Sequence, residues 1–358
     1  MAFSNNSMDI NKSIKQISPV PKIHVEAIQN QLNNLTKPLG SLGILEDFVI
    51  KLGSIQNTSS PKIQNKRVYV FAADHGIAEE NVSAYPASVT PQMVLNFLNN
   101  GAAINVLTKH FHSDIKVVDV GVNFDFESNP KLINKKIAKG TKNFLKEPAM
   151  SKEQAMKSLE VGFECAKQAH KDKIDIIVAG EMGIANTSSS SAITSLICSL
   201  PVSKVTGRGT GISDSTLKHK IKIIEKAIQN RNPNKNEPLD ILMKVGGFEI
   251  GTIVGLALGC AYYKIALVAD GFISTTGIAL ANKFCPHVKD CVFPSHSSVE
   301  QGHISLLKTL DIKPIFDFGM RLGEGTGGVY TLPVLESAID LFNNMATFEK
   351  ANVDNKIE

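Results

Sequence analysis

What most constrains this chain is a repeated alternation of short, continuously apolar runs with longer amphipathic ones. The apolar runs lie at 67–73, 115–120, 174–179, 265–269, 291–293 and 314–318, and helical-period stretches at 91–109, 151–172, 214–229 and 239–244 fall between them. A strand that is apolar on both sides must be covered on both sides, as happens when helices cross between parallel strands. The pattern predicts an α/β fold, a Rossmann-like, mostly parallel sheet with helices on both faces. Several runs stop at a cluster of Gly, Asp, Glu or His: Asp74-His-Gly76, Gly121-Val-Asn123, Gly180-Glu-Met-Gly183, Asp270-Gly271 and Pro294-Ser-His296. Ligands of such sheets bind beyond the carboxyl ends of the strands, so these clusters predict an active site.

Composition narrows the function classes. The net charge is only +4, the 38 basic residues form no stripe, and there is no Trp and only 5 Tyr. A nucleic-acid partner is not expected. The five cysteines are scattered without a C-x-x-C pair, which predicts buried free thiols in a reducing compartment. Residues 1–20 are polar and unpatterned, predicting a mobile arm, and they lack the charged and apolar regions of a secretory signal. The longest apolar stretch, 250–269, is interrupted by Gly251, Thr252, Gly255, Gly259 and Lys264. It reads as a buried helix passing into a buried strand, not as a membrane span. A cytoplasmic protein without a membrane partner is expected.

Three glycine-rich clusters carry candidate chemistry. Arg321-Leu-Gly-Glu-Gly-Thr-Gly-Gly328 follows the apolar run at 315–318. Gly323, Gly325 and Gly328 match the dinucleotide spacing, but no second strand with a ribose-binding acid follows, and Asp340 lies within a helical run. Glu324 therefore becomes the candidate, an acid presented where the backbone approaches a ligand closely. Val205-Thr-Gly-Arg-Gly-Thr-Gly211 precedes a helix with Lys218 one turn in, and predicts a phosphomonoester cradle; a plain turn is the competing reading. Gly180-Glu-Met-Gly183 and the hydroxyl-rich run from Asn186 suit ribose or phosphate oxygens, or a helix cap. Asp270 suits a ribose hydroxyl or a cap. Asp74-His75 and Ser295-His296 lack the partners of a metal site or a serine triad, so neither metal nor cofactor is expected.

Taken together, the motifs resemble the nicotinate-nucleotide–dimethylbenzimidazole phosphoribosyltransferase family. The resemblance runs from Leu35 to about Asn352 and rests on an ordered set. That set is Thr36-Lys-Pro-Leu-Gly-Ser-Leu-Gly43, Ala73-Asp-His-Gly76, Val89-Thr-Pro-Gln92, Asp119-Val-Gly121, Gly180-Glu-Met-Gly-Ile184, Gly207-Arg-Gly-Thr-Gly211, Val245-Gly-Gly-Phe248, Asp270-Gly271, Pro294-Ser-His296 and Arg321-Leu-Gly-Glu-Gly-Thr-Gly327. It implies transfer of phosphoribose from nicotinate mononucleotide to 5,6-dimethylbenzimidazole, giving α-ribazole 5′-phosphate and nicotinate. By position, Glu324 is implied as catalytic base and Glu181 as second carboxylate. Gly207, Arg208, Gly209 and Lys218 match the phosphate segment with Gly183 and Asn186 nearby, and Asp270 matches the ribose contact. Tyr85, Gln92 and Met93, with Met182 and Leu322, match the pocket for the aromatic base. The resemblance also implies a homodimer. It further implies a small helical domain built from both chain ends, 21–60 with 331–358, beside a catalytic domain at 61–330.

Ala185 stands where the family pattern has Gly, the run Ser188–Ser191 is richer in serine than usual, and the base segment reads Ser83-Ala-Tyr-Pro-Ala. Two other readings are kept: a non-catalytic binder of ribazoles or benzimidazoles, and a related transferase with a purine or phenolic acceptor.

Overall fold

The computed structural model describes residues 9–355. Six strands form one sheet: β1 (Lys66–Ala73), β2 (Asp114–Gly121), β3 (Leu132–Asn134), β4 (Ile176–Met182), β5 (Ala266–Ala269) and β6 (Val292–Phe293). Their order is β3-β2-β1-β4-β5-β6, and all five pairings are parallel. The order reverses between β1 and β4, where doubly wound sheets open a crevice for ligands.

Every residue of β1 is buried. Tyr69, Phe71 and Ala73 enter one core, whereas Val68, Val70 and Ala72 enter another on the opposite face. The first is closed by helices Lys152–Lys171 and Phe248–Tyr263. Their backbones approach so closely that a Cβ on Gly255 would lie 1.9 Å from the Leu159 carbonyl. The glycines that interrupt the apolar stretch at 250–269 are therefore helix-contact positions. No helix among the described residues is long and apolar enough to cross a membrane.

The second core joins helices Val25–Asn34, Ile44–Gln56 and Thr326–Asn344 to the sheet through Ile28, Leu52, Leu332 and Phe342. The two chain ends meet there, with the Thr36 amide donating to the Ala346 carbonyl at 3.0 Å. This helical layer shares its core with the sheet, and the expected boundary at 330/331 falls inside one helix.

Four expectations need correction. Residues 9–20 are not an unpatterned arm: Ile10–Lys15 is a helix capped by the Asp9 carboxylate. Ile10, Ile14 and Ile17 form an apolar stripe that packs on the first core; residues 1–8 lie outside the described residues. The stretch 91–109 is two helices, Val89–Leu98 and Ala103–His110, parted at Asn100 with φ +60°. The run 314–318 makes only a single parallel bridge, His296 with Phe316, flanked by the Ile315 amide on the Ser295 carbonyl and the Ser297 amide on the Phe316 carbonyl, before the Asp317 carboxylate takes the Gly319 amide in a local turn. Cys198 is half-buried, unlike the other four cysteines.

Candidate functional site

Strands β1, β4 and β5 end around a cavity of about 620 Å³, a size suited to a small ligand. Glu181 stands at the end of β4, and the loop carrying Glu324 lies across the same strand. Only glycine fits beneath that loop, since a Cβ on Gly180 would meet the Glu324 carbonyl at 2.4 Å. Glu324 itself is left-handed at φ +64°, between Gly323 at +82° and Gly325 at +90°. Non-glycine residues hold that conformation at a cost, and here it turns the side chain into the cavity. Gly325 then caps helix Thr326–Asn344.

Asp270, at the end of β5, fastens this arrangement. Its two oxygens accept the Gly325 amide at 3.1 Å and the Gly328 amide at 2.7 Å. A carboxylate at a helix N-terminus is stabilising on both hydrogen-bond and dipole grounds. Asp270 is buried and does not line the cavity, so the expected ribose contact is corrected to a positioning role for the Glu324 loop.

The two glutamates are buried in a region poor in cations. Glu324 is pushed up to about 7 by burial, which outweighs the backbone amide of Ile104 hydrogen-bonded to the carboxylate, with the nearby Asp270 charge adding to the upward shift. Its Oε2 finds no hydrogen-bond partner among the described residues. Glu181 is pushed up to about 8 by burial, then by the negative charges of Glu249 and Asp270; Asn186 donates to its Oε2. Both carboxyls are thus held above the ordinary carboxylate range by burial, and the charge of Glu324 adds to the shift on Glu181. Behind them His75 is buried between Glu249, Nε2 to Oε1 at 2.6 Å, and Ser189 at 3.1 Å. The Asp74-His75 motif thus supports the floor of the site.

Tyr85, Val89, Met93, Met182, Ile184 and Leu322 form an apolar wall of the cavity. Val89 and Met93 lie one turn apart on helix Val89–Leu98. Gln92 is exposed, one step further round on the solvent side, and is not part of the wall.

The other end of the cavity is built differently from expectation. Gly183, Asn186 and Gly209 line it, but Gly207 is buried beneath the loop and Arg208 turns outward. The Arg208 guanidinium donates to the Ile212 carbonyl at 2.9 Å and to Asp214. Lys218 is exposed, because the buried face of helix Asp214–Arg231 is Lys220, Ile224 and Ala227. Lys220 is the lysine that faces inward, donating to Thr187 Oγ1 at 2.7 Å; burial pulls it down to about 8. Helix Asn186–Cys198 begins here after Ala185, which holds φ +73°. That left-handed angle is the physical reason a glycine was expected at 185.

The sequence reading missed Lys220, Ser298 and Glu300, all at this end, and included Thr187 only within the hydroxyl-rich run from Asn186. A lysine on the apolar stripe of an amphipathic helix was the available signal for the first.

These features define a ligand cavity of an α/β protein, with a buried carboxylate that keeps one oxygen without a partner among the described residues at one end and a buried ammonium behind the other. The profile of a family described as phosphoribosyltransferase matches residues 17–353. The nicotinate-nucleotide–dimethylbenzimidazole phosphoribosyltransferase of Geobacter sp. (strain M21) is 48% identical over 344 residues, 96% of this chain and 99% of that one. The enzyme of the same name from Chloroflexus aggregans is 45% identical, covering 98% and 99%. The crystal structure of CobT from Thermus thermophilus superposes with a TM-score of 0.88 at 37% identity, covering 96% of this chain and 100% of that one. The chain belongs to the nicotinate-nucleotide–dimethylbenzimidazole phosphoribosyltransferase family, and it is an enzyme of the pentosyltransferase class.

Proposed function

We propose that the enzyme moves phosphoribose from nicotinate mononucleotide to 5,6-dimethylbenzimidazole or a related aromatic base, with Glu324 as general base. The observation that carries this reading is the Glu324 Oε2, buried beside an apolar wall, without a partner among the described residues. The names of the relatives supply the substrates.

The leaving group of nicotinate mononucleotide is already a pyridinium, so it departs as a neutral ring nitrogen and needs no acid. The attacking benzimidazole has one lone-pair nitrogen and one N–H. As the first bonds to the anomeric carbon, positive charge builds on the ring and the N–H acidifies. Glu324 accepts that proton, and with its pKa raised to about 7 it is well matched to operation near neutral pH. Attack opposite the departing ring inverts the β-linkage to α. Glu181 stays protonated below about 8, which confines the negative charge of the pair to Glu324 and makes Glu181 a donor for a ribose oxygen. The phosphate is assigned to the N-terminus of helix Asn186–Cys198 beside Lys220, where backbone amides, helix dipole and ammonium converge.

A homodimer belongs to the same reading, and sedimentation of the purified protein tests it. The reaction is tested by mixing protein, nicotinate mononucleotide and 5,6-dimethylbenzimidazole. Nicotinate and α-ribazole 5′-phosphate should appear in equal amounts, and no nicotinate release would overturn the proposal. Competing adenine and phenol in the same assay identifies the acceptor; a phenol that outcompetes the benzimidazole would reassign it.

A further inference from the structure

Glu300 is a third carboxylate in the same cavity, beside Glu181 and Glu324, at the end assigned to the phosphate, and no step above uses it. It is 5% exposed, and its Oε1 accepts the Gly209 amide at 2.8 Å. Its Oε2 is buried with no hydrogen-bond partner among the described residues. The carboxylate lies so close to the glycine loop that a Cβ on Gly207 would sit 2.1 Å from Oε2. Lys220, behind Gly209 and Thr187, feels its charge, and Glu300, Thr187, Gly209, Thr210 and Ser298 line the cavity.

An arriving phosphate therefore meets the Arg321 guanidinium on the lining, the Lys220 ammonium just behind Thr187 and Gly209, and one buried carboxylate. An ionised carboxylate offers only acceptors, as does a phosphate dianion, and the two repel strongly where water is excluded. One proton between them converts the repulsion into a short, charge-assisted O–H···O⁻ bond. A phosphomonoester can carry that proton, since its second pKa is about 6; a phosphodiester has no such ionisation.

We propose that Glu300 sets the phosphate specificity of the site by sharing one proton with the bound phosphate, so that phosphomonoesters are admitted and phosphodiesters rejected. The inference rests on the phosphate assignment above. The proton comes from solvent, and no covalent bond changes. Other charged groups around the loop are engaged elsewhere. Arg208 pairs with Asp214, Arg321 donates to the Gly209 carbonyl at 3.3 Å, and Asn186 holds Glu181. His303, on the helix that follows Glu300, is pulled down to about 3 by burial, with His296 adding to the effect, and so stays neutral. It accepts the Ser298 amide at 3.0 Å and bonds Thr275 at 3.0 Å. Lys220, and Arg321 on the lining beside Gly209, are the cations near Glu300.

The test is calorimetric titration of the full chain at pH 7 with nicotinate mononucleotide, in buffers of differing ionisation enthalpy, with nicotinate riboside as the phosphate-free control. The wild type should take up about one more proton with the mononucleotide than with the riboside, the free phosphate being mostly dianionic at that pH. Its affinity for the mononucleotide should then fall about tenfold per pH unit above 7, the slope of one linked proton. Glu300→Gln, whose amide donates to the dianion directly, should abolish the extra uptake, flatten the slope and bind the methyl phosphodiester of the mononucleotide at least tenfold better than the wild type does. Equal proton uptake in wild type and variant would overturn the inference. So would wild-type binding of the methyl diester as tight as the monoester, a measurement that needs no variant. A riboside that binds as tightly as the mononucleotide would instead sink the phosphate assignment itself.

Discussion

Two glycine-rich loops of this enzyme look alike in sequence and behave in opposite ways. Residues 321–328 bring both their charged residues, Arg321 and Glu324, to the cavity lining. Residues 205–211 turn theirs, Arg208, out toward Asp214, while Lys220 and Glu300 from other elements supply the charge inside. The first loop is pinned from below: Gly180 leaves room for its backbone, and Asp270 holds the two amides that follow Glu324. The second has a ready partner outside, and much of its turn bonds to itself, with the Gly211 and Ile212 amides donating to the Arg208 carbonyl. A glycine-rich loop therefore fixes where the backbone approaches a ligand. Which charge arrives there is decided by the neighbours that can pair with it.

The sharpest way to break this contrast is to neutralise each loop's own charge. Glu324→Gln should lower kcat by roughly 10²–10⁴-fold, the usual worth of a positioned general base, with little change in KM for either substrate. Arg208→Ala should leave kcat and both KM values within about twofold, since its exposed pair with Asp214 contributes little. In the wild type kcat should rise with pH through about 7 as Glu324 ionises, and steady-state rates across pH 5.5–8.5 test that limb. Near-wild-type turnover in Glu324→Gln, or a collapse in Arg208→Ala, would invert the comparison.

A smaller effect separates the two lysines of helix Asp214–Arg231. Lys220→Ala should raise KM for nicotinate mononucleotide about 10- to 100-fold, as expected for losing a hydrogen bond to a charged group worth roughly 1.5–3 kcal/mol. KM for the aromatic base should move much less. Lys218→Ala, on the exposed face, should change neither. Initial-rate kinetics with each substrate varied decide it; equal shifts in both KM values for Lys220→Ala would argue for a structural role.

This pair of lysines also marks what sequence could disclose. Strand-end clusters were readable because buried parallel strands are continuous apolar runs, so the apolar pattern alone places Asp74, Glu181 and Asp270 on one edge of the sheet, whereas Glu324 reaches it on a loop that follows no strand. Side-chain direction was less readable. Lys218 follows the glycine loop more closely, yet the apolar stripe Ile224 and Ala227 selects Lys220 for burial. Glu300 lies 91 residues from its Gly209 partner, a juxtaposition made only by the sheet order. Asp270 was legible as a cap, but not as the cap of a helix 56 residues on, because the next helix in sequence is Phe272–Phe284. The Ile10–Ile14–Ile17 stripe was visible, and polar neighbours masked it.

The smallest predicted effect concerns stability, and it again divides the loops. Glu181 and Glu324 hold their protons more tightly in the folded chain, at about 8 and about 7, than the ordinary 4.5 of an unfolded glutamate. A folded state that binds protons more tightly is favoured at low pH. Their contribution is thus fully present below about pH 4.5 and lost as pH rises to about 8. Glu181→Gln removes a buried carboxyl that must ionise in this window. It should therefore stabilise the unliganded enzyme at pH 8.5 by about 1–3 kcal/mol, with little gain at pH 4.5. Asp214→Asn, at the start of the helix that follows the other loop, has the opposite sign. Arg208 holds that carboxyl below its ordinary value, so its contribution is present above the ordinary carboxylate range, is lost as pH falls, and is small on an exposed side chain. Thermal melts of the three proteins from pH 4 to 9 resolve the difference. A Glu181→Gln melting curve parallel to wild type at every pH would show that the buried pair is not held protonated, and would remove the basis for assigning the single negative charge to Glu324.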